Sequence, residues 1–171
     1  VKNAQILSSK HYPFRAFTQH LEAKTQGRNI FVLGLGSNMG YGVKSSIDIL
    51  ESAFMWLDSV SYIKILRTSP IWRNPAFGFR AQNDFYNAVM ICQSHKNIRH
   101  IYALIFYIER RFARGRKRAF KNAPRTLDID IIFFNTLRLK YPHLHIPHRF
   151  YHQRASVMLP LSFIESKPLR T

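Results

Sequence analysis

PRTLDIDIIFFN, residues 124–135, sets an arginine and two alternating acids at the head of an apolar, β-branched run. Read as a strand, it projects Asp128 and Asp130 from one face and Leu127, Ile129 and Ile131 from the other, because successive side chains of a strand alternate. Two carboxylates on one face repel each other unless a cation sits between them. The pattern therefore admits a divalent metal held by oxygen ligands, with Arg125 beside it to meet the anion such a metal carries. It admits equally an edge strand with a solvated face, since alternation is the ordinary pattern of half-buried strands.

Upstream, the chain supplies the rest of a sheet. Residues 1–29 show no clear periodicity and are rich in Lys, Gln, Ser and His, so they read as an N-terminal extension of unassigned order. A single domain is expected over 30–171. IFVLGLGSN, from Ile30, is a short apolar run closed by a glycine-containing turn, which argues a buried strand. Val43, Ile47, Leu50, Phe54 and Leu57 then step at the spacing of one helix face. VSYIKILRTS reads as a strand up to Thr68. SPIWRNPAFGFRAQN, 69–83, carries two prolines and a glycine and reads as a long loop. DFYNAVMIC reads as the next strand. Ile98, Ile101, Ile105, Ile108 and Phe112 mark a second helix, with Ser94 or Asn97 able to cap its start. The order β-α-β-β-α-β is that of an α+β, ferredoxin-like split βαβ fold, in which an antiparallel sheet carries two helices on one face and leaves the other as an open valley.

Composition narrows the partners. At 171 residues with 46% hydrophobic content the chain suits one globular domain. No apolar run approaches the roughly 18 residues of a membrane span, and the first residues lack the apolar core of a secretory signal, so a soluble cytoplasmic protein is expected. Cys92, the single cysteine, lies in an apolar run and reads as a core residue. Lys and Arg total 26 against 9 acids, a balance of +17 that raises a polyanion, either nucleic acid or a phosphorylated small molecule. Arg110, Arg111, Arg114, Arg116, Lys117, Arg118, Lys121 and Arg125 crowd one segment with no acid among them, and it runs into the paired acids. Such runs are solvated faces more often than sites.

Taken in order, LGLGSNMG, RTSPIW, DFYNAV, IERRFARGR, PRTLDIDIIFF and PHRFYHQRASVMLPL make the chain, from about Ile30 to Ile164, closely resemble the 6-hydroxymethyl-7,8-dihydropterin pyrophosphokinases of folate biosynthesis. The resemblance implies transfer of the terminal pyrophosphoryl group of ATP to the hydroxymethyl oxygen of the pterin, with release of AMP. It makes Asp128 and Asp130 the ligands of two magnesium ions bridging the ATP phosphates. Glu109 becomes an acid that positions the nucleotide, and Arg114, Arg116 and Arg125 become phosphate-binding residues on or beside a closing loop. His148 and Arg154 are implied at the nucleotide phosphates. Thr68, Ser69, Ile71, Phe85 and Asn87 are implied at the pterin, where an aromatic face stacks on the flat ring and an amide offers both donor and acceptor. ATP and the pterin are the partners expected, with neither membrane nor nucleic acid among them, and a monomer suffices.

The chain departs from the family pattern at three places. Ser156 stands where a second stacking phenylalanine is common, which leaves Phe150 or Tyr151 to complete the stack. Asn122 stands nearest the place of a tryptophan, with one residue inserted. Phe106 replaces a polar nucleotide-contacting residue of some relatives. The competing reading is an RNA-binding module, since the same strand order describes the RNA-recognition fold and FGFR, from Phe77, is suggestive. Against it, FGFR falls in a proline-containing loop and the full RNA-binding motif is absent.

Overall fold

The computed structural model describes residues 5–8, 27–74, 83–112 and 124–166. The strands are β1 (Gln5–Ser8), β2 (Asn29–Ser37), β3 (Lys64–Thr68), β4 (Ile71–Asn74), β5 (Phe85–Ser94), β6 (Asp128–Phe134), β7 (Leu139–Tyr141) and β8 (Leu144–Ile146). The helices are α1 (Ser46–Ser59), α2 (Ile98–Arg111) and α3 (Ala155–Ser166), the last preceded by a single 3-10 turn at Tyr151–Gln153. The main sheet runs β1-β4-β5-β2-β6, with β3 also on β5, and every described pairing is antiparallel. This is the α+β split βαβ arrangement.

β5 explains how two short strands share one edge. It takes β3 against Met90 to Gln93 and β4 against Phe85 to Asn87. Between them Pro70 has no N–H to give, and Ser69 carries the ladder across the break. Its N–H donates to the Val89 carbonyl at 2.8 Å and its hydroxyl accepts from the Val89 N–H at 2.9 Å. The stretch expected to be loop throughout from Ser69 to Asn83 thus contains a strand, Ile71–Asn74, and residues 75–82 lie outside the described residues.

Helix starts follow local chemistry. Ser45 and Asp48 form a reciprocal capping box at α1, each satisfying the other's backbone N–H. Starting there leaves Val43 outside the helix and fully exposed, against the expectation that it belongs to the buried face. That face is Ile49, Leu50, Ala53 and Leu57. Asn97, rather than Ser94, caps α2 by accepting from the Arg99 and His100 N–H groups at 3.1 and 3.2 Å.

The sheet buries both faces, unequally. Phe31, Leu33 and Leu35 of β2, Met90 and Cys92 of β5, and Ile129 and Ile131 of β6 pack toward α1 and α2. Burial pushes the Cys92 thiol far up, which suits a core residue and not a nucleophile. Ile30, Val32, Val89, Ile91 and Ile132 face the other way, against Val157, Leu161 and Ile164 of α3. The second face is therefore not wholly open, as two helices on one side would leave it: α3 covers part of it. A β-bulge at Ile132, between the Leu33–Ile131 and Val32–Phe133 pairs, shifts the alternation of β6, so that Ile132 and Phe133 both face the second core and Phe134 returns to the first. At the far end Asn135, with positive φ, closes the β2–β6 pair by exchanging bonds of 2.7 Å with the backbone of Ile30.

Candidate active site

The uncovered part of the second face is a trough whose floor is glycine. Gly36 of β2 lies in register between Asp128 of β6 and Asn87 of β5, and Gly34 lies between Asp130 and Val89. A side chain at either glycine would press on a neighbouring side chain. A Cβ on Gly36 would stand 3.0 Å from the Asn87 Oδ1, and one on Gly34 would stand 3.2 Å from the Ile132 Cδ1. The acids on one wall therefore face the Asn87 wall across bare backbone. Two strand spacings separate the walls, about 9–10 Å.

On the acid wall Asp128 and Asp130 project to the face expected, with Ile129 and Ile131 buried behind them. The Arg125 guanidinium is ion-paired with the Asp128 carboxylate. Asp130 faces Arg154 at 3.5 Å and His148 at 3.9 Å, contacts too long for strong hydrogen bonds. The protein packed around the Asp130 carboxyl, and then Asp128 beside it, push its pKa above the usual carboxylate range, with His148, Arg154 and Arg125 opposing. Burial holds His148 below its ordinary value although Asp130 pulls it up. The His148 N–H is bonded to the Ile132 carbonyl at 2.9 Å, which fixes the start of the tail beside β6.

Glu109 is only 4% exposed at the end of α2, so it is no ordinary surface acid. Its Oε1 accepts from the Ile129 N–H at 2.8 Å, between the two acids, and so holds the acid strand against the helix. Arg114 and Arg116, like Lys117, Arg118, Lys121 and Asn122, lie outside the described residues.

On the opposite wall Phe85 and Asn87 share the trough face of β5, and Thr68 and Ser69 are buried at the β3–β4 break. The Asn87 Nδ2 is buried without a hydrogen-bond partner among the described residues. The Ile71 side chain packs in the core under α1 and α2, so its backbone is what it offers the trough. Of the aromatics weighed as replacements for a stack at Ser156, Tyr151 is engaged edge-on with Phe133 at 4.8 Å, and Phe150 is exposed under the Arg149 guanidinium at 5.1 Å.

Asn38 is a residue that sequence reasoning passed over. Buried just after β2, it exchanges two bonds with the Arg125 backbone, at 3.1 and 2.9 Å, and donates through Nδ2 to the Asn83 carbonyl at 3.2 Å. One side chain thus ties the lead-ins of β5 and β6 to the end of β2. The signal was present in GSN, an amide after a glycine turn, but nothing local says which backbone it reaches.

An antiparallel α+β sheet with carboxylates, arginine and histidine on one side of a glycine floor and an aromatic and an amide on the other has the makings of a group-transferring enzyme that joins an anionic substrate to a flat one. The family model for 7,8-dihydro-6-hydroxymethylpterin-pyrophosphokinase matches residues 32–166, and the chain belongs to that family. It is 45% identical to the 2-amino-4-hydroxy-6-hydroxymethyldihydropteridine pyrophosphokinase of Helicobacter pylori over 92% of its own length and 91% of that protein. It is 39% identical to the enzyme of the same name from Campylobacter jejuni, over 91% of the chain and 92% of that protein. The folic acid synthesis protein FOL1 of Dictyostelium discoideum is 33% identical over 81% of the chain, which spans 20% of that longer protein.

Proposed function

We propose that the trough transfers the terminal pyrophosphoryl group of ATP to the hydroxymethyl oxygen of 6-hydroxymethyl-7,8-dihydropterin, giving AMP and the pterin diphosphate used in folate synthesis. The observation that carries this reading is the register Asp128–Gly36–Asn87, which sets a carboxylate and an amide on either side of a glycine. No described finding favours RNA binding: FGFR lies outside the described residues, and the acids on the uncovered sheet face would repel a phosphate backbone.

The donor set fits magnesium. Among the described residues no cluster of three or more His, Cys, Asp or Glu could form an all-protein cage. Two carboxylates on one strand face match an ion that prefers few protein ligands, several waters and phosphate oxygens. Asp128 and Asp130 would hold two such ions, whose chemistry is to neutralise charge on the bridging phosphate oxygens. In the reaction the pterin hydroxyl oxygen bonds to the β-phosphorus, the bond from that phosphorus to the α,β-bridging oxygen breaks, AMP departs, and the hydroxyl proton is lost. Phosphoryl transfer is mainly positioning and charge stabilisation. Arg125, ion-paired with Asp128, would exchange the carboxylate for phosphate oxygens, and the family resemblance implies phosphate binding by Arg114 and Arg116 as well. Arg154 and His148 flank Asp130 where the nucleotide phosphates would enter. Glu109 holds β6 in place. Phe85 stacks on the pterin and Asn87 bonds its edge, with Thr68, Ser69 and the Ile71 backbone closing the pocket. All these groups come from one chain, so a monomer suffices, and the setting that fits this chemistry is the cytoplasm. No helix among the described residues is long and apolar enough to cross a membrane.

The test is to follow AMP formation from ATP, magnesium and the reduced pterin. Asp128→Asn and Asp130→Asn should each lower kcat by about 10²–10³ or more, the usual loss for an electrostatic contact to the transition state. Folded wild-type protein that makes neither AMP nor a pyrophosphorylated pterin would overturn the assignment.

A further inference from the structure

Asn74, the last residue of β4, carries a polar group to which the reading above gives no role. It is only 8% exposed, and its Nδ2 is buried with no hydrogen-bond partner among the described residues. Buried amides are nearly always bonded, and one left unmade is costly unless a ligand or function accounts for it. Register shows where this amide stands. Asn74 is paired with Phe85 and Trp72 with Asn87. Directly opposed residues share a face with their Cβ atoms about 4.5–5.5 Å apart. Asn74 therefore borders Phe85 from across the ladder, while Asn87 borders it from two residues along β5. The Trp72 Nε1 and the Asn87 Nδ2 are unpartnered as well, so among the described residues the ring wall holds three N–H donors without acceptors. A flat heterocycle stacked on Phe85 would present one edge to Asn87 and another to Asn74.

We propose that Asn74 is a second ring-recognising amide, donating an N–H to an acceptor of the heterocycle, its carbonyl oxygen or an imine nitrogen, on a different edge from the one met by Asn87. This rests on the reading of the trough as the pterin site. It makes β4 a specificity element, one that selects rings with an acceptor on that edge.

The test measures binding of the reduced pterin to the full chain in the presence of magnesium and a non-hydrolysable ATP analogue, for wild type, Asn74→Leu and Asn74→Asp, with the thermal midpoint of each. Asn74→Leu should weaken pterin binding about tenfold, a typical value for one lost hydrogen bond, and leave the affinity for the ATP analogue within about twofold. Its thermal midpoint should equal or exceed that of wild type, since an unpartnered amide is replaced by an apolar group of similar volume. A structural role alone would lower the midpoint and spare the ligand. Asn74→Asp keeps the size, loses the donor and should weaken pterin binding at least as much, so it decides the matter if the leucine variant fails to fold. Unchanged pterin affinity in a folded variant overturns the role of Asn74 and leaves the trough assignment standing. Failure of wild type to bind the pterin overturns the trough assignment and this inference with it.

Discussion

At Asp130 the requirements of folding and of function oppose each other. Its carboxyl is crowded by protein and faces Asp128, so its pKa stands above the ordinary 3.8. A native state with a raised carboxyl pKa holds the extra proton between the two values. Stability is then fully present below the unfolded value and falls as pH rises through the folded one. Asp130→Asn should therefore raise the melting midpoint of the metal-free protein at neutral pH and flatten its decline above the carboxylate range, while it lowers kcat by about 10²–10³ or more. With 38% of the Asp130 side chain exposed, solvent screening keeps the gain below about 1 kcal/mol. Thermal melts in chelator across pH would show this, and a lower midpoint for the variant at neutral pH would contradict it. The acid pair and its faces were legible from alternation alone. The crowding of Asp130 and the burial of Glu109 were not, because both depend on which segments cover the strand ends.

At the scale of elements, the trough depends on β2 having no side chains where β5 and β6 face each other. Gly36→Val would drive a branched side chain against the Asn87 Oδ1, which stands 3.0 Å from even a first Cβ. Pterin affinity should fall about tenfold or more, with a stability cost of about 1–3 kcal/mol for overpacking. Titration of the variant with reduced pterin checks this, and wild-type affinity would mean that the floor is not part of the ring site. The glycines were visible in LGLGSN but read only as a turn, since the register that places them opposite Asp128 and Asn87 is a long-range property. β4 was missed for a local reason: Pro70 and Pro75 bracket it, and proline argues against a strand in any window that includes it. α3 was missed likewise, because Pro160 sits inside it.

For the whole molecule, α3 turns a one-sided sheet into one buried on both faces, and it confines the uncovered surface to the trough. Leu161→Ala should cost about 2–5 kcal/mol, the range for truncating a leucine in a core, and urea denaturation would measure it. A cost near zero would mean that the helix is an appendage. The basic balance of +17 acts at longer range. Steering of an anionic nucleotide toward the trough predicts that kcat/KM for ATP falls as ionic strength rises, while kcat changes little. The order β2, α1, β3, β5, α2, β6 was legible because those two helices and four strands carry clean periodicity, whereas β1, β4, β7, β8 and α3 were not. The second core was not, because its residues come from α3 and from alternate positions of strands already assigned to the first.

The central claim, that one trough passes an intact pyrophosphoryl group from nucleotide to pterin, is met most directly by phosphorus NMR of a complete reaction. AMP and a coupled pair of diphosphate resonances on the pterin are predicted, both formed at least about 10²-fold more slowly with Asp130→Asn. Accumulation of ADP, with a pterin monophosphate or with free phosphate, would contradict it.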